Sequence, residues 1–159
     1  MAVNRDLIEQ FARGGPKLID ALRGLSKPEL MSFPVPGTWS IQQIVIHLMD
    51  SDLIACDRMK RVIAEENPTL IGFNETKFVE KLLYHEQSVE EATTVFSLNR
   101  KNMAKILRGL PDSAYQRIGT HNEVGVLTLE QLLETYTKHL EHHLQFILKK
   151  RAILGKALR

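Results

Sequence analysis

Cysteine is nearly absent from this 159-residue chain, and the single Cys56 excludes an intramolecular disulfide and any zinc or iron–sulfur site built on several thiolates. Such sparing use suits a reducing, cytoplasmic setting. Aromatic residues make up only 6%, and no stacking set of them accompanies the basic residues, so nucleic acid is not an expected partner. No stretch approaches the ~20 apolar residues that cross a bilayer. The run from Met1 to Phe11 interleaves Asn4, Arg5, Asp6, Glu9 and Gln10 with its apolar residues, which is no signal-peptide core. A net charge of +2 gives no electrostatic pointer to a partner. Phosphate-cradling glycine loops, a Ser-His-Asp set in register and the HExxH pattern are also lacking.

What is present is an ordinary globular composition, 43% hydrophobic and 25% charged. The length fits one domain, 1–159, able to bury a core without covalent staples.

Apolar residues recur at helical spacing along most of the chain. Asn4 to Leu25 carries such a series, interrupted by Gly14-Gly15-Pro16, which predicts one kinked helix or two short ones. Ser26 and Glu29 mark a brief helix start, and the prolines and glycine from Phe33 to Gly37 demand a loop. Ser40 and Gln43 open a long helix through Ile44, Leu48, Ala55, Met59 and Val62, running to about Glu66 before Pro68. Thr69 to Gln87 is weakly patterned, with a short helix expected through Phe78, Val79, Leu82 and Leu83. Ser88 and Glu91 start a regular helix ending near Gly109, whose one polar inward position is Asn99. Pro111 to Leu127 reads as loop, and Thr128 with Gln131 opens the last helix. No alternating run resembles a strand. The expected class is all-α, a bundle of about four main helices.

Three of the six histidines fall within five residues of that last helix. Its apolar series is Leu129, Leu132, Leu133, Tyr136, Leu140, Phe146, Ile147 and Leu154. His139 lies seven residues after Leu132 and seven before Phe146, and His143 lies seven after Tyr136, so both are expected to face inward. His142, seven after Thr135, belongs to a polar flank. Two inward histidines four apart are neighbours one turn from each other, able to offer two nitrogens to one metal ion. His47 sits at the margin of its own helix stripe, roughly 60° from the mean apolar direction at about 100° per residue, where it can supply a third ligand. Three protein ligands leave a site open, as reactive sites are. The competing reading is a pair of core histidines hydrogen-bonded to neighbours. It must satisfy two nitrogens on each ring, and an unsatisfied buried polar group costs ~1–3 kcal/mol.

Other candidates are weaker. His139 with His142 is an alternative pair that periodicity disfavours. Asp50 and Asp52 can orient a ligand imidazole or serve as ordinary charges, and Asn99 is similarly ambiguous. His121 can close over one end of the site, though loop histidines are commonly solvated, and His85 reads as a surface residue. Cys56 reads as core. Lys149, Lys150 and Arg151, with Lys156 and Arg159, form a solvated basic helix end explained by the helix macrodipole.

The run Gly37-Thr38-Trp39-Ser40 followed by His47, then Arg117 to His121, Gly125, Thr128-Leu129 and His139 with His143 and Gln145, resembles the DinB-like superfamily. That group includes YfiT-type proposed metal-dependent hydrolases and bacterial thiol-dependent transferases. The resemblance implies a four-helix bundle with up-down-down-up connectivity, and a divalent metal, commonly zinc or nickel, held at His47, His139 and His143. It implies that homodimers are common and carries no DNA-binding role. The leading expectation is transfer of a low-molecular-weight thiol, bacillithiol- or mycothiol-like, onto a small electrophile. Metal-dependent hydrolysis, or a noncatalytic metal-stabilised binding or scaffold protein, are the alternatives.

Overall fold

The computed structural model describes residues 5–158, so the expected helix start at Asn4 and the terminal Arg159 lie outside the described residues. Among the described residues there are seven α-helices: α1 (Arg5–Ala12), α2 (Gly14–Leu22), α3 (Lys27–Met31), α4 (Ile41–Ala64), α5 (Glu75–Lys81), α6 (Val89–Gly109) and α7 (Leu129–Ile153). The predicted punctuation operates as expected. Ser26, Ser40 and Thr128 form reciprocal capping boxes with Glu29, Gln43 and Gln131, and Ser88 accepts from the Glu91 N–H. Each such cap contributes ~1 kcal/mol by pairing a backbone donor that the helix leaves free.

Hydrogen bonds fix the relative directions of the main helices. The Gln42 amide near the start of α4 donates to the carbonyls of Tyr84 and Gln87 just before α6, and Asn99 on α6 donates to the Asp52 carbonyl on α4. The two therefore run parallel. Glu9 pairs with Arg108, and Arg5 donates to the Leu110 carbonyl, so α1 and α2 run against α6. His47 meets His139, while Lys150 reaches Thr38, just ahead of α4, so α7 returns antiparallel to α4. The result is a four-helix bundle, α1–α2, α4, α6 and α7, in up-down-down-up order.

The structure departs from the expectation of no strands in two connections, the crossover that the parallel α4–α6 pair requires and the link from α6 to α7. Three short strands, β1 (Thr69–Leu70), β2 (Ile118–His121) and β3 (Gly125–Thr128), form a sheet with β1 parallel and β3 antiparallel to β2. Segments of two to four residues are too short to show an alternating pattern. Pro111 to Leu127 is accordingly a 3-10 turn (Asp112–Gln116) and a hairpin rather than loop. Gly119 lets that hairpin close on α4, because a Cβ there would sit 2.9 Å from Val62 and 3.0 Å from Leu70. Arg117 donates to the carbonyls of Val62 and Glu65, holding the sheet to the end of α4. The expected helix through Leu82 and Leu83 stops at Lys81, and Leu83 turns the chain with φ 55°.

The core forms two clusters. One gathers Phe11, Met59, Met103, Leu133 and Tyr136, and the other Leu18, Ile44, Phe96, Leu140 and Ile147. Arg100 joins them. Its guanidinium lies 4.3 Å from the Phe11 ring centre and 4.6 Å from that of Phe96, while Nε donates to Asp52 at 3.0 Å. Asn99, the expected inward polar residue of α6, is only half-buried, and the fully buried one is its neighbour Arg100.

Candidate metal centre

The capping box at Ser40 starts α4 just after Trp39, which places His47 two turns along, wholly buried against α7. On α7, His139 and His143 stand one turn apart and half-buried, and His142 turns to solvent. Among the described residues, these three histidines are the group of potential ligands that converges, with one nitrogen from each ring lying within 4.8 Å of the others. His47 Nε2 is 3.2 Å from His139 Nε2, and the three ring centres are 4.6–5.1 Å apart.

The His47–His139 separation fits a shared cation. Zinc–nitrogen bonds of ~2.0–2.1 Å in a tetrahedron put two ligand nitrogens ~3.3 Å apart, close to the His47–His139 separation. Burial also keeps the rings in the neutral, lone-pair-bearing form. It pushes the pKa of His47 down to about 4, with His143 adding to the effect. It takes His139 to about 3, with His143 and His47 adding, and His143 to about 4, with His142 adding. Burying a charge against like neighbours disfavours it, which leaves nitrogen lone pairs free at neutral pH.

The rings are held mainly by packing. Trp39 lies 5.0 Å from the His47 ring and stacks parallel to His143 at 6.4 Å. His47 Nδ1 and His143 Nδ1 are buried with no hydrogen-bond partner among the described residues. The candidate orienting groups are occupied elsewhere. Asp50 accepts from the Tyr84 hydroxyl at 2.7 Å, and Asp52 pairs with Arg100. Asn99 donates to Asp52, and His121, buried in β2, accepts from the Glu123 N–H.

Sequence reasoning missed Glu75. Its Oε2 lies 3.7 Å from His47 Nε2, on an exposed side chain in the first turn of α5. The Asn74 cap was a usable signal for that helix, but nothing in the pattern connects it to the histidines. His85 is also no surface residue: it is half-buried, with Nε2 2.8 Å from the Ser40 hydroxyl. Cys56 is buried in the core as expected, and burial pushes its thiol up to about 12, which removes it as a nucleophile.

Two expectations on α7 are corrected. Phe146, read as inward, is 42% exposed, and Leu144 takes its place in the core. The basic end is not simply solvated, because Lys150 and Arg151 are each 4% exposed. Arg151 donates to the Ala21 carbonyl at 3.0 Å and Lys150 to the Thr38 hydroxyl. Ile147 and Leu154 keep to the core as the spacing predicts, so the series fails at Phe146 alone, which faces a cavity beside the Val35–Trp39 loop. That cavity is about 320 Å³, lined by Val35, Thr38, Trp39, His143, Phe146 and Lys150 among others.

A family model, the DinB superfamily, matches residues 10–147. A protein of Oceanobacillus iheyensis named as a proposed metal-dependent hydrolase is 30% identical over 111 residues, covering 70% of this chain. The match spans 64% of that relative's length, just under two thirds. A like-named protein of Halalkalibacterium halodurans is 26% identical over 133 residues, 83% of this chain and 77% of its own. Among solved structures, YfiT from Bacillus subtilis is described as a proposed metal-dependent hydrolase with an unusual four-helix bundle topology. It superposes with a TM-score of 0.89 at 24% identity, over 94% of this chain and 86% of that one. A mycothiol-dependent maleylpyruvate isomerase matches with a TM-score of 0.68 at 14% identity, over 91% of this chain and 62% of that one. Both structural likenesses concern the fold.

Proposed function

The chain belongs to the DinB superfamily, and from that premise we propose that it is a divalent-metal-dependent enzyme acting on a small electrophile, with water or a low-molecular-weight thiol as nucleophile. The observation that carries the reading is the convergence of His47, His139 and His143, three imidazoles from two helices that burial holds unprotonated. In this reading they hold the ion, zinc or nickel by the character of an all-nitrogen donor set. When bound, the ion would supply Lewis acidity, which would make a weakly acidic nucleophile reactive at neutral pH.

The chain's own residues shape what surrounds that position. Trp39 packs beside His47 and His143 and forms the aromatic wall between them and the cavity. Glu75 brings one carboxylate to the side of His47 that faces His139, where it can accept a proton or a hydrogen bond from an incoming nucleophile. The cavity beside His143 is large enough for one small organic reactant.

Hydrolysis is the class carried by the names of the sequence relatives, and thiol use is carried by the name of the isomerase. Product analysis separates them. With zinc- or nickel-loaded protein and a panel of activated esters and epoxides, mass spectra are taken with and without bacillithiol or mycothiol. Products bearing the thiol establish transfer, and products bearing only water establish hydrolysis. Absence of both with fully loaded protein contradicts the enzymatic reading and leaves a binding or scaffold role.

A further inference from the structure

The cavity beside His143 holds a charge that the proposed chemistry does not use. Lys150 is 4% exposed, and its ammonium makes one side-chain hydrogen bond, to the Thr38 hydroxyl. An ammonium has three donors, and among the described residues no carboxylate is paired with this one. Its neighbour Lys149 lines the same cavity and adds a second positive charge. The macrodipole of α7 accounts for basic residues at an exposed helix end. It does not account for one that is buried, because desolvating an unpaired ammonium is costly. Desolvation here lowers the pKa of Lys150, and Lys149 lowers it further, so the site as it stands disfavours its own charge. A bound anion reverses that balance.

The remaining walls are apolar. Val35, Trp39, Ile44 and Phe146 supply aliphatic and aromatic surface, and the volume of about 320 Å³ is at the small end of ligand pockets. Phe146 lies at the rim, which explains an exposed aromatic on an otherwise polar flank. His143 closes the wall on the side of the three-histidine cluster.

We propose that this cavity is the substrate pocket, and that it takes a small molecule with an apolar body and a single anionic head such as a carboxylate, the head held by Lys150 and the Thr38 hydroxyl. The inference rests on the metal-enzyme reading only in calling the ligand a substrate; the binding preference stands on the cavity itself.

Trp39 is the chain's only tryptophan and lines the pocket, so its fluorescence reports occupancy. The probes are 4-phenylbutanoate and its uncharged match, 4-phenylbutanamide, titrated into metal-free and zinc-loaded protein. The expected result is that the carboxylate binds at least ~10-fold tighter than the amide, the ratio that a hydrogen bond to a charged group supports. In Lys150→Met the ratio falls to near 1, while zinc content is unchanged. The comparison within the wild type needs no variant, and Thr38→Val, expected to lower the ratio by a smaller factor, covers the case in which Lys150→Met does not fold. Equal binding of the two probes, binding of neither, or a preference that survives Lys150→Met in folded protein overturns the proposal. A carboxylate preference in protein that takes up no zinc on supplementation keeps the pocket and removes the metal-enzyme reading; stoichiometric zinc uptake without the preference does the reverse.

Discussion

His47 Nε2 and His139 Nε2 lie 3.2 Å apart although 92 positions separate the residues. Two helices running in opposite directions bring them together, and both rings are neutral at pH 7 because burial has moved their pKa values to about 4 and about 3.

That neutrality has a consequence for the metal-free protein. In the unfolded chain each imidazole titrates near ~6.5, so as pH falls below that value the unfolded state takes up protons that the folded state refuses. Because the folded pKa values are lower, the contribution is absent above pH ~6.5 and becomes a growing penalty down to about pH 4. At pH 5.5 it is about 1.4 kcal/mol for each imidazole. Urea denaturation of metal-free protein at pH 7.5 and pH 5.5 is expected to show this loss. His47→Gln, which removes one such group, is expected to reduce the pH dependence.

Arg100 and Asp52 tie the two core clusters together at 2.9 Å, with exposures of 1% and 3%. Truncating one partner strands the other charge. Arg100→Leu is expected to destabilise the fold by about 3–5 kcal/mol, read as a shift in the denaturation midpoint. Asp52→Leu combined with Arg100→Leu is expected to cost less than the two single losses added, because no charge is then left unpaired.

Glu75 sits in a different class, exposed yet 3.7 Å from His47 Nε2. Glu75→Ala is expected to leave the melting temperature within a degree or so of wild type, since exposed charges contribute little to stability. The same change is expected to weaken zinc affinity by about 10-fold, the lower end for residues that support metal ligands from outside. Competition with a chromophoric chelator measures this. Unchanged affinity means the carboxylate does not feel the ion.

Long-range periodicity made the four main helices and their caps legible, because buried stripes and Ser or Thr caps are local signals that repeat. It also separated His139 and His143 from His142. The crossover was not legible: β1 is two residues long, and its partner β2 lies some fifty positions away, so no local pattern announces the pairing. Gly14 and Gly15 read as a helix break, and the break falls at Arg13 directly before them, but their second role needed coordinates. A Cβ on Gly15 would lie 3.0 Å from the Ser97 backbone, so the glycine is also what lets α2 approach α6. Charged residues misled most. Arg100 is in the interior because Asp52 faces it, and Lys150 is covered because the Val35–Trp39 loop lies against it, and such neighbours are invisible to a one-dimensional count.

The central claim is that His47, His139 and His143 hold one divalent ion. The most direct measurement is the metal content of protein purified without a histidine tag, after supplementation with zinc or nickel at neutral pH. One ion per chain is expected in the wild type and in His142→Ala, whose ring faces solvent, with loss of binding in His47→Ala, His139→Ala and His143→Ala. Wild type without stoichiometric metal, or equal loss from His142→Ala, contradicts the account.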